Sequence, residues 1–216
     1  MREPLYKIYS FRAKRKVLRG YKTTLPTLEK SISELQIGMS DSEFKKNRFP
    51  QYFNSMLFFR IAIKDILVIH KELLLTKNKE VQNIHARTLA LHLYEFAQDF
   101  QKLNGKDFRR ELATIPQSDE ILRKFDLLKH HFHTIKPHYE QLLKDIRHHT
   151  IAHKDNDALL LNSKINNIDH LKIVEIETAA FLLFALYDKF LKDAGGNFVK
   201  YQAEIIKMPY LNDIEE

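Results

Sequence analysis

Residues 145–157, DIRHHTIAHKDND, bring together one arginine, three histidines and three aspartates. Histidine titrates near neutral pH and binds metals, and arginine offers paired donors to phosphate oxygens. No other stretch of the chain is as dense in such groups. The stretch has three interpretations: a metal site, a place where phosphate chemistry is done, or a solvated helix end whose cations interact favourably with the helix dipole.

A metal site would use His149 and His153, which are four residues apart and share one face of a continuous helix. Further ligands would have to come from the neighbouring histidines and aspartates, and no HExxH or comparable pattern fixes a geometry. Arg147 and Lys154 lie beside the pair and repel a cation. The sequence therefore favours a site without metal, and no cofactor is expected.

Several other enzyme classes lack their residues. The chain has no cysteine, which excludes thiolate zinc sites, disulfides and cysteine nucleophiles. It has no GxxxxGK[ST] or GxGxxG motif and no nucleophile elbow, so ATP hydrolysis, dinucleotide chemistry and serine hydrolysis have no support.

Phosphate chemistry would rest on Arg147 and His153, an arginine and a histidine separated by five residues. Two other pairs with similar spacing, Arg87 with His92 and Arg123 with His130, lie inside regular amphipathic patterns. The Arg147 pair differs in its context, because an aliphatic residue precedes the arginine and IAH leads into the histidine, followed by KD.

This R-x-x-x-I-A-H-x-D pattern resembles the HEPN superfamily, helical-bundle proteins that include many ribonucleases, and in particular its abortive-infection and toxin-like branch. The resemblance implies that Arg147 stabilises charge on a phosphate and that His153 does acid/base work. It also implies homodimers in which two motifs meet across a two-fold axis. One position departs from the pattern, since many catalytic members have asparagine or aspartate after the arginine and this chain has His148.

RNA cleavage without a metal would use the 2′-hydroxyl of the substrate as nucleophile and leave a 2′,3′-cyclic phosphate. On a continuous helix Arg147 and His153 lie about 120° apart, so they need a loosened helix end or a second chain to meet. The second imidazole of an acid/base pair would come from that chain, or from His149 in the same chain, and His148 completes the candidate set.

The formal charge of +7 lies entirely in residues 1–22, which carry eight Lys or Arg against one Glu, while residues 23–216 sum to zero. Interleaved aromatics, Tyr21 among them, could stack on bases while the cations meet phosphates. The alternative is a solvated arm whose aromatics pack on the domain. The candidate nucleic-acid contacts are Arg12, Lys14, Arg15, Lys16, Arg19 and Lys154.

The elements that must position these residues are helices, because apolar residues recur at helical spacing and Gly and Pro are few. We expect a turn at TTLP (23–26), a polar loop over 155–170, and DAGGN (193–197) ending the last apolar helix. Pro137 should kink or restart the long helix that carries Arg147. Helices are predicted over 27–37, 51–76, 80–103, 107–114, 118–146 and 171–192, with 198–208 either helix or strand.

The sequence therefore predicts an all-α, antiparallel bundle of five or six helices with a basic N-terminal extension: an arm at 1–22 and a HEPN-like domain at 23–216. No apolar run is long enough to span a membrane, and cytoplasmic localisation is the expectation. The predicted function is a metal-independent endoribonuclease of toxin or phage-defence type that acts on RNA. The alternative is a non-catalytic module that binds nucleic acid or a protein partner such as an antitoxin.

Overall fold

The computed structural model describes residues 11–40, 49–115, 118–148 and 158–207; for 11–14, 158, 160 and 198–207 it describes the backbone alone. These residues form seven helices: α1 Phe11–Ser40, α2 Pro50–Leu75, α3 Lys79–Leu103, α4 Lys106–Leu112, α5 Ser118–Arg147, α6 Ala158–Asn166 and α7 His170–Lys207. The described ranges contain no strand, and the predicted all-α helical bundle is confirmed.

The core lies between α2, α3, α5 and α7, with α3 in contact with the other three. Helices that follow one another in this set run antiparallel. A connection of three residues joins α2 and α3, and the contacts Lys124–Asp193 and Tyr139–Lys172 between α5 and α7 fall in opposite chain order. Aromatic rings fill the centre, among them Phe59, Phe125 and Tyr187, each at most 1% exposed. This apolar centre holds the long α5 in register against α3, which decides what Arg147 contacts.

The starts of α2 and α3 agree with the sequence prediction to within one residue, because local signals fix them. Pro50 occupies the first turn of α2, where its missing N–H is not needed. Glu111 of α4 accepts hydrogen bonds from the backbone N–H groups of Gln51 and Tyr52, each at 2.9 Å. Asn78 caps α3 through its side-chain oxygen.

The predicted turn at TTLP is wrong, because α1 continues through Pro26 and beyond. A proline inside a helix costs about 3 kcal/mol through the lost hydrogen bond and a clash with the preceding turn. Pro26 and Lys22, whose carbonyl loses its partner, are both exposed, so water can solvate that carbonyl. The buried stripe that includes Tyr21 and Leu28 runs across the proline and holds the helix together. The boundary placed after residue 22 falls inside this helix.

The predicted helix end at DAGGN is also wrong, because α7 continues to Lys207, which makes 198–207 helical. Gly195 serves packing here: a Cβ at this position would lie 2.6 Å from the hydroxyl of Tyr52. That hydroxyl donates to the backbone oxygen of Leu191 at 2.6 Å, which fixes α2 against α7. A glycine that permits close approach was misread as a stop signal.

Two further expectations change. The stretch 155–170 contains the helix α6, so it is not a continuous loop, and α6 raises the number of helices above six. The α5 helix continues through Pro137, which is exposed, so the helix does not restart there. Arg147 is therefore carried by a single helix of 30 residues.

Candidate functional site

Arg147 is the last residue of α5 and lies on the flank of that helix that faces α3. Leu143 and Ile146 are buried in the core, which fixes the direction of the last turn. The Nε of Arg147 donates to Oε1 of Glu95 at 2.7 Å, and the guanidinium carbon lies 5.4 Å from the centroid of the Tyr94 ring. The guanidinium is therefore held by an ion pair on one edge and by an aromatic ring on one face.

The side chain of Arg147 keeps 29% of its surface exposed, and that of Glu95 keeps 45%. Glu95 is bound to Nε, and the two terminal nitrogens of Arg147 have no acceptor among the described residues. Terminal guanidinium nitrogens form the fork that matches two phosphate oxygens. Arg147 is thus positioned so that its binding edge can meet an anion.

The regular helix ends at Arg147, and His148 has π-helical hydrogen bonding. π-Type turns widen the backbone and occur often at functional sites. The loosened helix end that the 120° separation of Arg147 and His153 requires would lie beyond His148. His149, His153 and Lys154 lie outside the described residues, so the convergence of Arg147 with His153 stays a prediction.

Polar side chains continue from Arg147 along the contact between α3 and α5, which we call the seam. The Nε2 of Gln98 donates to Oε1 of Glu140 at 3.2 Å. The Nζ of Lys136 donates to Oε1 of Gln101 at 3.1 Å and lies 3.3 Å from Oε1 of Glu140. Lys136 is held by Gln101 and Glu140, whereas the terminal nitrogens of Arg147 have no acceptor among the described residues, so Arg147 is the main phosphate-binding candidate of the seam.

Below the seam lies an apolar pocket of about 50 Å³ between α3, α5 and α7. Tyr94, whose ring lies against Arg147, also lines this pocket. Tyr139 lines it from α5, and the Nζ of Lys172 lies 5.7 Å from the centroid of the Tyr139 ring. The sequence analysis did not find this pocket, because it depends on how three distant segments pack.

Six of the eight basic residues in 1–22 belong to α1, and Arg2 and Lys7 lie outside the described residues. Arg15, Lys16, Arg19 and Lys22 are exposed, and we call them the basic stripe. Arg12 and Lys14 lie in the same helix, but their side chains are outside the described set. Tyr21 is buried on the opposite face, so it is not exposed for stacking on bases. For this aromatic, packing on the domain is the observed role.

Tyr21 belongs to a buried polar group that the sequence analysis missed. Nδ1 of His70 lies 2.8 Å from the Tyr21 hydroxyl and 2.5 Å from Oε1 of Glu177. We call these three residues, from α1, α2 and α7, the core cluster. Burial raises the pKa of the Glu177 carboxyl, and the hydrogen bond from His70 offsets part of that rise. The sequence signal for this cluster was the presence of His70 and Glu177 inside strongly apolar helical stretches.

The other histidines of α5 do not form a site. His131 and His133 are exposed on either side of the buried Phe132. Arg123 and His130 are also exposed, in the regular part of the helix. Among the described residues, His, Asp and Glu side chains do not converge in a group of three or more that could hold a metal.

No helix in the described ranges has the length and apolar character needed to cross a bilayer. Comparison of the chain with protein-family models, with curated proteins and with solved structures finds no match. The HEPN resemblance therefore rests on the motif residues and on their place at the end of the long helix.

Proposed function

We propose that the protein is a metal-independent endoribonuclease of HEPN type, centred on Arg147 and His153. The observation that carries the proposal is the anchoring of Arg147, whose Nε is bound to Glu95 while its terminal nitrogens lack an acceptor among the described residues. An arginine held in this way keeps its fork aimed at an anion without further reorganisation, which is how preorganised donors stabilise a transition state.

In the proposed reaction, the 2′-oxygen of the RNA attacks the adjacent phosphorus while His153 removes the 2′-hydroxyl proton. The bond from phosphorus to the 5′-oxygen breaks, and an imidazolium donates a proton to that oxygen. The products are a 2′,3′-cyclic phosphate and a 5′-hydroxyl. Arg147 binds the nonbridging oxygens, where negative charge grows.

The second imidazole comes from His149 of the same chain or from His153 of a second chain in a homodimer. His148 follows Arg147 directly and is the remaining candidate in the motif. Sedimentation across a concentration series, read beside cleavage rates, distinguishes these sources: a dimer-dependent rate favours the second chain.

The basic stripe supports RNA as the substrate, because exposed cations on α1 add sequence-independent attraction for a phosphate backbone. In a cell this activity would suit a cytoplasmic toxin or phage-defence effector restrained by an antitoxin or partner protein.

The test is cleavage of a single-stranded RNA in excess chelator by the wild type, Arg147→Ala and His153→Ala. We expect Arg147→Ala to lower the rate by about 10²–10³, as loss of one transition-state donor does elsewhere. Arg123→Ala and His130→Ala are matched controls, because they change a similarly spaced pair on the same helix. RNA with a 2′-deoxy sugar at the scissile position should resist cleavage. Loss of wild-type activity in chelator would instead indicate a metal enzyme.

The second candidate is a non-catalytic module that binds nucleic acid or a protein partner through the same surface. The exposed basic stripe favours it, since phosphate contacts of this kind need no catalytic group. This function predicts intact RNA under every condition. It also predicts salt-sensitive RNA retention that weakens when Arg15, Lys16 and Arg19 are replaced by Gln.

A further inference from the structure

The apolar pocket below the seam opens beside the proposed phosphate-binding arginine. Tyr94 separates the two: the guanidinium of Arg147 lies against its ring, and the same residue forms part of the pocket wall. Leu143, one turn before Arg147, lines the pocket from α5. A group bound to Arg147 and a group inside the pocket would therefore be neighbours on one ligand.

The walls of the pocket are almost wholly apolar, and its mouth is half open. Tyr94 and Tyr139 are both half-buried, so each presents part of its ring to an incoming group. Each ring also has a cation against it, Arg147 on Tyr94 and Lys172 on Tyr139. An aromatic wall with cations at its margin fits a flat, apolar-faced ligand that carries an anion.

We propose that this pocket is a nucleobase subsite, which receives the base of the nucleotide whose phosphate is held by Arg147. The inference rests on the proposed function, which identifies the bound strand as RNA. It adds a base preference that the Arg147–His153 motif does not provide. Proteins that recognise single-stranded RNA splay bases out and stack them on aromatic side chains, which matches the lining of the pocket.

The size of the pocket sets which base fits. An engineered apolar cavity of roughly 150 Å³ holds a benzene molecule, and this pocket is about 50 Å³. Only the edge of one ring therefore enters the pocket, and the remainder of the base lies outside it. A single-ring pyrimidine fits this arrangement better than a two-ring purine.

The experiment measures binding to four-nucleotide DNA strands of cytosine or of adenine, which lack the 2′-hydroxyl and stay intact. We expect the wild type to bind the cytosine strand about tenfold more tightly, at the low end of the discrimination that an apolar pocket achieves by size. Ala97→Val places two methyl groups in the pocket and should reduce the preference to near unity. Ala180→Val fills it from α7 and provides a second variant if the first does not fold.

The matched control is Ala185→Val, the same change with the same loss of helix propensity on an exposed face of α7. This control should keep the wild-type preference for cytosine. Absence of preference in the wild type, absence of binding to either strand, or a preference that survives both filling variants overturns the subsite. A pyrimidine preference without RNA cleavage would support the subsite and refute the nuclease. RNA cleavage without the preference would support the nuclease and refute the subsite.

Discussion

Two side-chain pairs in this molecule, each with a glutamate and a basic partner, have opposite surroundings. In the core cluster, Glu177 is 1% exposed and lies 2.5 Å from His70, with Tyr21 as the third member. In the seam, Glu95 is 45% exposed and holds Arg147 at 2.7 Å beside an open pocket. Each pair joins residues far apart in sequence, so each depends on the packing of the bundle.

The comparison separates what stabilises the fold from what remains available to a ligand. Within the described residues, Nε2 of His70 and both carboxyl oxygens of Glu177 are buried without a hydrogen bond of regular geometry, so this pair is closed to solvent and to substrates. The seam pair is partly solvated, contributes little to stability and keeps the arginine fork accessible. Burial makes the His70–Glu177 pair structural, whereas exposure beside a pocket lets the Arg147–Glu95 pair act on a ligand.

The largest expected effect is on the core cluster. Glu177→Ala should lower the free energy of unfolding by about 3–5 kcal/mol, because removing one member of a buried pair leaves the other uncompensated. Denaturant unfolding measures the change. Glu175→Ala is the control, since Glu175 is an exposed carboxylate on the same helix that pairs with Lys172, and its loss should cost less than about 1 kcal/mol. Equal losses in the two variants would contradict the contrast.

The core cluster should also make stability depend on pH. Because burial raises the pKa of Glu177, the folded state binds a proton more tightly than the unfolded state. Its contribution is complete below the usual glutamate pKa of 4.5 and is lost as the pH rises through the folded value. The unfolding free energy of the wild type relative to Glu177→Gln should therefore fall with rising pH, as urea titrations can measure. A constant difference would refute this pH dependence.

A substitution in the seam should lower the cleavage activity and hardly change the free energy of unfolding. Glu95→Gln weakens the bond that orients Arg147, so we expect RNA cleavage to fall about tenfold while unfolding changes by less than about 1 kcal/mol. Asp99→Asn is the matched control, because Asp99 lies one turn further along α3 and pairs with Lys102. If both variants cleave at the wild-type rate, Glu95 does not position the arginine.

The smallest expected effect tests whether the two regions are independent. Tyr21→Phe removes the hydroxyl that contacts His70 and should cost about 1 kcal/mol. Combined with Glu177→Gln, the effects should be non-additive, because both residues contact one imidazole. When Tyr21→Phe is combined with Glu95→Gln, the two changes in the free energy of unfolding should add within about 0.5 kcal/mol. Coupling of equal size in both double variants would mean that the core cluster and the seam are not separate units.

Much of the fold could be predicted, because each core helix repeats apolar residues with the period of an α-helix. Errors occurred where one residue type serves two purposes. Pro26 and Gly195 are breakers by local preference, yet a continuous buried stripe and the close approach of Tyr52 keep both inside helices. Local preferences of a few kcal/mol or less cannot decide against tertiary packing that the sequence does not display.

The candidate site was predicted in part. The end of the long amphipathic pattern indicated where Arg147 would lie, and the structure places it at the last residue of α5. Its contacts were not predictable: Glu95 and Tyr94 lie about fifty residues earlier, and the register between α3 and α5 decides which side chains meet. Both interpretations of the N-terminal segment left its cations exposed and differed over its aromatics, and the burial of Tyr21 shows that the cations and this aromatic face opposite directions.

The sequence by itself determined the helical class, the concentration of positive charge near the N-terminus and the placing of an arginine at a helix end, because these follow from period and composition. Only the tertiary structure decided that this arginine is anchored by Glu95, that an apolar pocket lies behind Tyr94 and that His70 is buried with Glu177. The reason is that contacts between helices depend on register and rotation, which are fixed by the packing of the whole core.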